Sequence, residues 1–326
     1  MGTNKIINGE IDEFVDWYDT DGNVINASDG GILYVDGIYH WYGMALRPLP
    51  NHSNGNGGQQ TTTGVVMYAS RDLHQWEYEG VILPCSKDPS DELYGPMRFE
   101  RPKIIYNDRT KKYVLWCHYV KYPGDHGDEK GTGDAGLAIC DTVNGTYQWL
   151  GFTRPIDEKG MVRDCTLYKD LDGSAYFIYD RQVGEDRCLH IVKLKDDYLG
   201  FTDEYQRIDC AYRREAAALF FHEGYYYMVT SGLTSWRFNQ ACCYRSKSLM
   251  GEWEDMGDPC VNDEDHLTFH SQSTYIFKVE GTEDDWILMA ERHNVENFLH
   301  CSYIWLPIEF TNEGGLQLKY RNEFVI

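Results

Sequence analysis

The chain has 326 residues, a net charge of -22 and 14% aromatic residues, including 25 tyrosines and 9 tryptophans. Negative charge spread along a chain repels phosphate backbones and anionic lipid surfaces, so nucleic acid and membrane are excluded as expected partners and a neutral ligand is favoured. No run approaches the 18 apolar residues of a membrane span, and the start "MGTNKIINGEIDEF" lacks the apolar core of a signal peptide. The ten cysteines show no CxxC spacing, which fits a reducing compartment; the expected location is cytoplasmic.

One unit recurs along the chain. "SDGGILYVDGIYHWYG" begins at 28 and reads as two short strands joined at Val35-Asp36-Gly37, a pair suited to the positive φ of a hairpin turn. "FERPKIIYNDRTKKYVLWCHY" begins at 99, "RDCTLYKDLDGSAYFIYD" at 163, "REAAALFFHEGYYYMVTSG" at 214 and "SQSTYIFKVEGTEDDWILMAERH" at 271. Each has a polar residue, a short apolar strand, a turn, and a strand rich in Tyr or Trp. An aromatic outer strand follows in "SRDLHQWEYEG", "CDTVNGTYQWLG" and "SKSLMGEWEDMG", and more weakly in "KDDYLGFTDE". Four short strands per unit, five units and almost no helical periodicity predict an all-β, five-bladed β-propeller as a single domain over 1–326. The blades are expected at about 25–95, 96–155, 156–208, 209–262 and 263–326. Residues 1–24 or the strands near 302–325 are expected to close the ring. The long polar loops 47–64 and 121–134 are expected to be functional rims or insertions.

In a propeller the innermost strands surround the channel, so their first residues converge at one end. Those positions are Asp29, Glu100, Asp164, Glu215 and Gln272, four carboxylates and an amide. Crowded acids cannot all ionise at their ordinary pKa values, which lets one stay protonated while another stays charged. Glycoside hydrolysis needs that pairing, an acid for the leaving oxygen and a carboxylate to activate water. The alternative use of such a ring is a structural Ca²⁺ in the channel; the reaction itself requires no cofactor, and no metal ligand is assigned. Arg101, Arg163 and Arg214 each adjoin an acid. Strand alternation predicts that they point into the blades, away from the pocket.

These motifs resemble glycoside hydrolase family 43, five-bladed propellers acting on arabinan, xylan and galactan side chains. The resemblance implies Asp29 as general base, Asp164 as the residue that tunes the acid's pKa, and Glu215 as general acid. "DTDGNVINASDGG", "FERPKIIYN", "TSGLTSW", "HSQSTYIF" and "YIWLPIEF" are most similar to its exo-β-1,3-galactanase branch. That branch usually reads A-H-G-G-G where this chain has "ASDGG", and is thought to use a Gln in place of the base, here Gln272. Both candidates are therefore present, and a carboxylate is the stronger base. Met44 stands where the branch tends to carry a sugar-binding Glu; losing that acceptor weighs against galactose as the terminal sugar and keeps arabinofuranose, xylose or another neutral sugar open beside it. Glu100, Tyr119, Trp236, Thr234, Asn239 and His270 are the candidate substrate contacts, with His270 expected to share the face of Gln272. The expected function is an inverting, exo-acting hydrolase releasing a neutral sugar from an oligosaccharide. Its rivals are a non-catalytic glycan-binding propeller and a phosphorolytic enzyme. The latter needs an Arg/His cluster at the pocket, which the sequence does not display.

Overall fold

The computed structural model describes residues 5–48, 60–121, 132–208, 210 and 213–326. Five antiparallel sheets follow one another along the chain, each opening with an innermost strand and running outwards. The first blade consists of Ser28–Val35, Ile38–Pro48, Gln60–Ser70 and Glu77–Pro84; the second of Met97–Asn107, Lys112–Lys121, Asp134–Cys140 and Gln148–Thr153. The third runs Met161–Lys169, Ala175–Val183, Asp186–Leu194 and Phe201–Ile208, and the fourth Arg214–His222, Tyr225–Gly232, Cys242–Ser246 and Glu254–Gly257. The fifth is Gln272–Lys278, Trp286–Arg292, Ser302–Phe310 and Leu316–Lys319, with Cys260–Val261 added in parallel at its outer edge. Each innermost strand neighbours the next, and that of the fifth blade returns to that of the first, making a ring. The five-bladed propeller expected from the repeats is what forms. The fourth blade ends at Gly257 rather than 262, because Cys260–Val261 pairs with the fifth.

Hairpin chemistry sets the inner pairs. Asp36 and Gly37 both take positive φ (50° and 83°), as a tight two-residue turn requires. The second strands are buried on both faces, Val114 to Val120 without interruption, since each sheet is covered by a blade on either side. Where the last blade meets the first, Trp17, Trp41, Trp76 and Trp305 pack together with Tyr303.

No strand is exchanged to close the ring among the described residues. Instead Lys5–Ile7 pairs with Glu323–Val325 outside the blades. The buried Asn8 amide donates to the carbonyls of Trp305 (2.8 Å) and Arg321 (3.0 Å), while its oxygen accepts from the Trp305 N–H (3.0 Å). Both expected segments thus contribute. Much of the two long polar loops, at 49–59 and 122–131, lies outside the described residues. No helix among the described residues is long and apolar enough to cross a membrane.

Candidate active site

At the start of every innermost strand the register slips: between Ser28 and Gly31, Glu100 and Lys103, Val162 and Cys165, Glu215 and Ala218, and Ser273 and Tyr275. A bulge of this kind breaks the two-residue alternation, so consecutive side chains can face the same space. Asp29, Arg101 and Ala216 sit in the bulges with φ of 58°, 52° and 54°, a left-handed conformation costly for non-glycine residues. Gly30 is required beside Asp29, because a Cβ there would stand 1.6 Å from the Tyr42 carbonyl oxygen.

The result is a cavity of about 490 Å³ at one end of the channel, into which Asp29, Glu100, Asp164, Glu215 and Gln272 all open. The ring of acids read from the repeats is assembled. The prediction for the arginines fails at two of three positions. Arg101 and Arg163 line the same cavity, while Arg214 turns into its blade and donates to the Gln240 carbonyl (2.7 Å). The bulges are the reason. With Arg98, Arg187 and His118 these residues make the Arg/His cluster that the sequence did not display.

Arg101 is the hub. Its Nη1 donates to the Ser273 carbonyl (2.6 Å) and its Nη2 to Gln272 Oε1 (2.8 Å). Its Nε lies 3.0 Å from Asp164 Oδ2, and its Nη2 3.6 Å from Asp29 Oδ1. Asp29 is 2% exposed. Burial would raise its pKa, but Arg101, His293 and Lys103 outweigh burial and hold the carboxyl well below the usual carboxylate range. Lys103 also fixes the bulge by donating to the Asp29 carbonyl (2.8 Å). Asp29 Oδ1 is sealed from solvent and accepts no hydrogen bond among the described residues.

Glu215 behaves oppositely. It is 6% exposed, and burial together with the charge of Asp164 pushes its pKa well above the ordinary carboxyl value despite Arg187 and Arg101. Arg187 Nη2 lies 2.9 Å from Glu215 Oε2, and Gln272 Nε2 reaches 3.5 Å from Oε1. Arg187 is also bonded to Asp180, a fully buried carboxyl raised to about 6 by burial. Glu100 pairs with Arg98 (3.0 Å) and His118 (2.8 Å); burial opposes them, yet the carboxyl is lowered to about 2.

The other sequence candidates divide. Trp236 and Thr234 line the cavity, and Trp236 stands edge-on to His293 (4.8 Å) and Phe298 (5.2 Å). Asn239 does not reach it: its amide is spent on the loop, accepting from the Gly232 N–H (2.6 Å) and donating to Thr234 Oγ1 (2.7 Å). Tyr119 is a core residue, buried beside Phe99 and donating to the Glu92 carbonyl (2.6 Å). His270 does not share the face of Gln272. Thr268, Phe269 and His270 form a left-handed turn (φ 56°, 52° and 57°), and the imidazole lies on Phe238 with Nδ1 2.8 Å from Asp12. Met44 is also outside the cavity, buried with Leu46, Phe298 and Cys301 in the apolar cluster against which Trp236 packs.

Sequence reasoning missed Arg98, His118, Arg187, Asp180, Glu291 and His293. Glu291 accepts from Ser28 Oγ (2.7 Å) and the Asp29 N–H (2.8 Å), and His293 Nε2 is 3.7 Å from Asp29 Oδ1. The available signal was "AERHN", charged residues ending an otherwise apolar strand. Two sets place three donor atoms within 4.8 Å of one another: Asp29, Glu291 and His293, and Glu100, His118 and Asp164. Each offers two carboxylates and an imidazole, far from the six to eight oxygens that Ca²⁺ takes. In the second set both carboxylates already pair with arginine.

Two buried carboxyls opening into one cavity, one with its pKa raised and the other with its pKa lowered, are the arrangement for acid–base cleavage of a glycosidic bond. The comparisons agree with that chemistry. The model of Glycosyl hydrolases family 43 matches residues 53–315. A solved family 43 β-1,3-galactosidase with galactodeoxynojirimycin is 31% identical, covering 98% of this chain and 100% of that one, with a TM-score of 0.86. An exo-β-1,3-galactanase from Clostridium thermocellum is also 31% identical over 99% of this chain and 67% of that one (TM-score 0.83). An exo-β-1,3-galactanase from Phanerochaete chrysosporium, solved with β-1,3-galactotriose, is 24% identical over 99% and 68% (TM-score 0.81), a likeness of fold. No curated protein matches. The chain belongs to glycosyl hydrolase family 43 and is a glycosidase.

Proposed function

We propose that this glycosidase is exo-acting and inverting, and releases terminal galactose from β-1,3-linked galacto-oligosaccharides. Glu215 protonates the leaving oxygen. Asp29 activates water on the opposite face, and Asp164, by its charge, helps keep Glu215 protonated. The single observation that carries this reading is the pair of opposite displacements: Glu215 pushed up by burial and Asp164, Asp29 held ionised by Arg101 against its own burial. Asp29 is favoured over Gln272 as base because a carboxylate is a far stronger base than an amide, and Gln272 Oε1 already accepts from Arg101. Galactose is supported by the names of the two relatives at 31% identity. The apolar Met44 does not weigh against it, since that side chain packs under Trp236. The test is sugar release from β-1,3-galactobiose and galactotriose beside arabinan and xylan oligosaccharides, with the product anomer followed by NMR. Galactose appearing first as the inverted anomer is expected; retained configuration, or release of another sugar instead, defeats the reading.

A further inference from the structure

Four arginines line the cavity, and three of them face a carboxylate. Arg98 meets Glu100, Arg101 meets Asp164 and Asp29, and Arg187 meets Asp180 and Glu215. Arg163 is different. Its Nε donates to Gln182 Oε1 (2.7 Å), and its Nη2 has only the thioether of Met161 at 3.6 Å. No carboxylate among the described residues lies within 4.0 Å of it. Its Nη1 has no partner there either, yet is not sealed off from solvent. A buried cation normally gains a partner from its own fold, and a half-buried guanidinium left without one in a binding cavity is a receptor for an anion.

The surroundings are arranged for it. Arg163 lies in the bulge of the third blade's innermost strand, Gln182 on the second strand and Arg187 directly across from Gln182 on the third. Gln182 fixes the guanidinium by one edge and itself lines the cavity. Gly133 leaves the room: a Cβ there would meet Arg163 Nη1 at 3.3 Å and the Val162 carbonyl at 2.5 Å. In a protein of net charge -22, such a point attracts one localised anion, not a polyanion.

We infer that Arg163, oriented by Gln182, forms a subsite for a carboxylate-bearing sugar, so that the enzyme acts preferentially on galacto-oligosaccharides carrying a uronic acid unit. The planar guanidinium fork matches a carboxylate, and a charge-assisted contact of this kind favours the acidic substrate by roughly 10- to 100-fold. The inference rests on the glycan-hydrolase reading of the same cavity.

The experiment compares kcat/KM for β-1,3-galactotriose and the same trisaccharide bearing one glucuronic acid branch, in wild type, Arg163→Gln and Arg163→Lys. A preference of about 10-fold or more for the acidic substrate is expected in wild type, reduced to near unity in Arg163→Gln and partly kept in Arg163→Lys. No preference in wild type, or one that survives Arg163→Gln, overturns the inference. Turnover of the neutral substrate that requires inorganic phosphate in wild type also overturns it, by making Arg163 a phosphate site. Both trisaccharides are titrated calorimetrically into Glu215→Gln protein as well. Binding that discriminates through Arg163 without turnover of either substrate in wild type keeps this subsite and defeats the hydrolase reading alone.

Discussion

Replacing Glu215 by Gln isolates the proton. The amide preserves size and can still accept from Arg187, which now stands 2.9 Å from Oε2, but it has no acidic proton to give. Among the described residues no second acid is positioned to substitute: Asp164 is paired with Arg101, and Asp180 is fully buried and bonded to Arg187. The loss should therefore be the full worth of general acid catalysis, about 10²–10⁴ in kcat on an oligosaccharide, or about 3–5 kcal/mol of barrier. A dinitrophenyl glycoside leaves without protonation, so its loss should stay within about tenfold. The alkaline limb of kcat/KM in wild type should lie above the ordinary carboxyl range, following the raised pKa of Glu215, and should vanish in the variant. Stability carries an independent sign. A carboxyl with a raised pKa in the fold contributes most below its unfolded pKa, and that contribution is lost as pH rises through the folded value. Glu215→Gln should thus gain in Tm relative to wild type as pH increases. An unchanged rate on oligosaccharide, or equal losses on both leaving groups, would refute the assignment.

Asp29→Asn should lower kcat by about 10²–10⁴, and azide should restore turnover as the inverted glycosyl azide; azide rescue of Gln272→Ala but not of Asp29→Asn would move the base to Gln272. Glu100 is lowered from 4.5 to about 2, worth about 3 kcal/mol at neutral pH, present above pH 4.5 and lost as pH falls towards 2. Urea unfolding of Glu100→Gln should show that deficit at pH 7 and little of it near pH 2, whereas a pH-independent deficit would point to packing. Asn8→Ala removes three hydrogen bonds, two of them buried, that tie the N-terminal segment to the fifth blade and to Arg321 just after it, for an expected loss of about 2–4 kcal/mol in chemical denaturation. A loss below about 0.5 kcal/mol would mean that ring closure rests on the tryptophan cluster alone.

The ring of acids was legible because it depends on chain order: one residue per repeat, at the same place in each unit. Asp29, Glu100, Asp164, Glu215 and Gln272 need only the propeller topology to meet. What was hidden depends on register. Strand alternation sent Arg101 and Arg163 into the blades, and five bulges overruled it. Arg187 and Asp180 come from the third and second strands of one blade, and His293 lies just past the end of a second strand. No repeat position marks such residues. His270 and Tyr119 failed for a local reason, since three successive left-handed residues turn one away and the hydrogen bond to Glu92 keeps the other in the core.

The bulges also explain how so many acids can share one space. A ring of carboxylates alone, desolvated at the end of a channel, would protonate throughout and lose the contrast that acid–base chemistry needs. Turning the residue next to an acid inwards as well brings Arg101 and Arg163 into the cavity, where Arg101 meets the acids of neighbouring blades. Arg101 sits between Asp29 and Asp164 and bonds Gln272; with His293 and Lys103 it holds Asp29 low, while at Glu215 burial and the charge of Asp164 outweigh Arg187 and Arg101. Paired buried charges of this sort add little net stability, and left-handed Asp29 and Arg101 subtract from it. Their value lies in holding two carboxyl groups of one cavity in opposite protonation states at the same pH. Arg163 feels Glu100, Asp180 and Asp164 only from beyond contact distance, so by that logic its guanidinium is free to meet a carboxylate on the substrate.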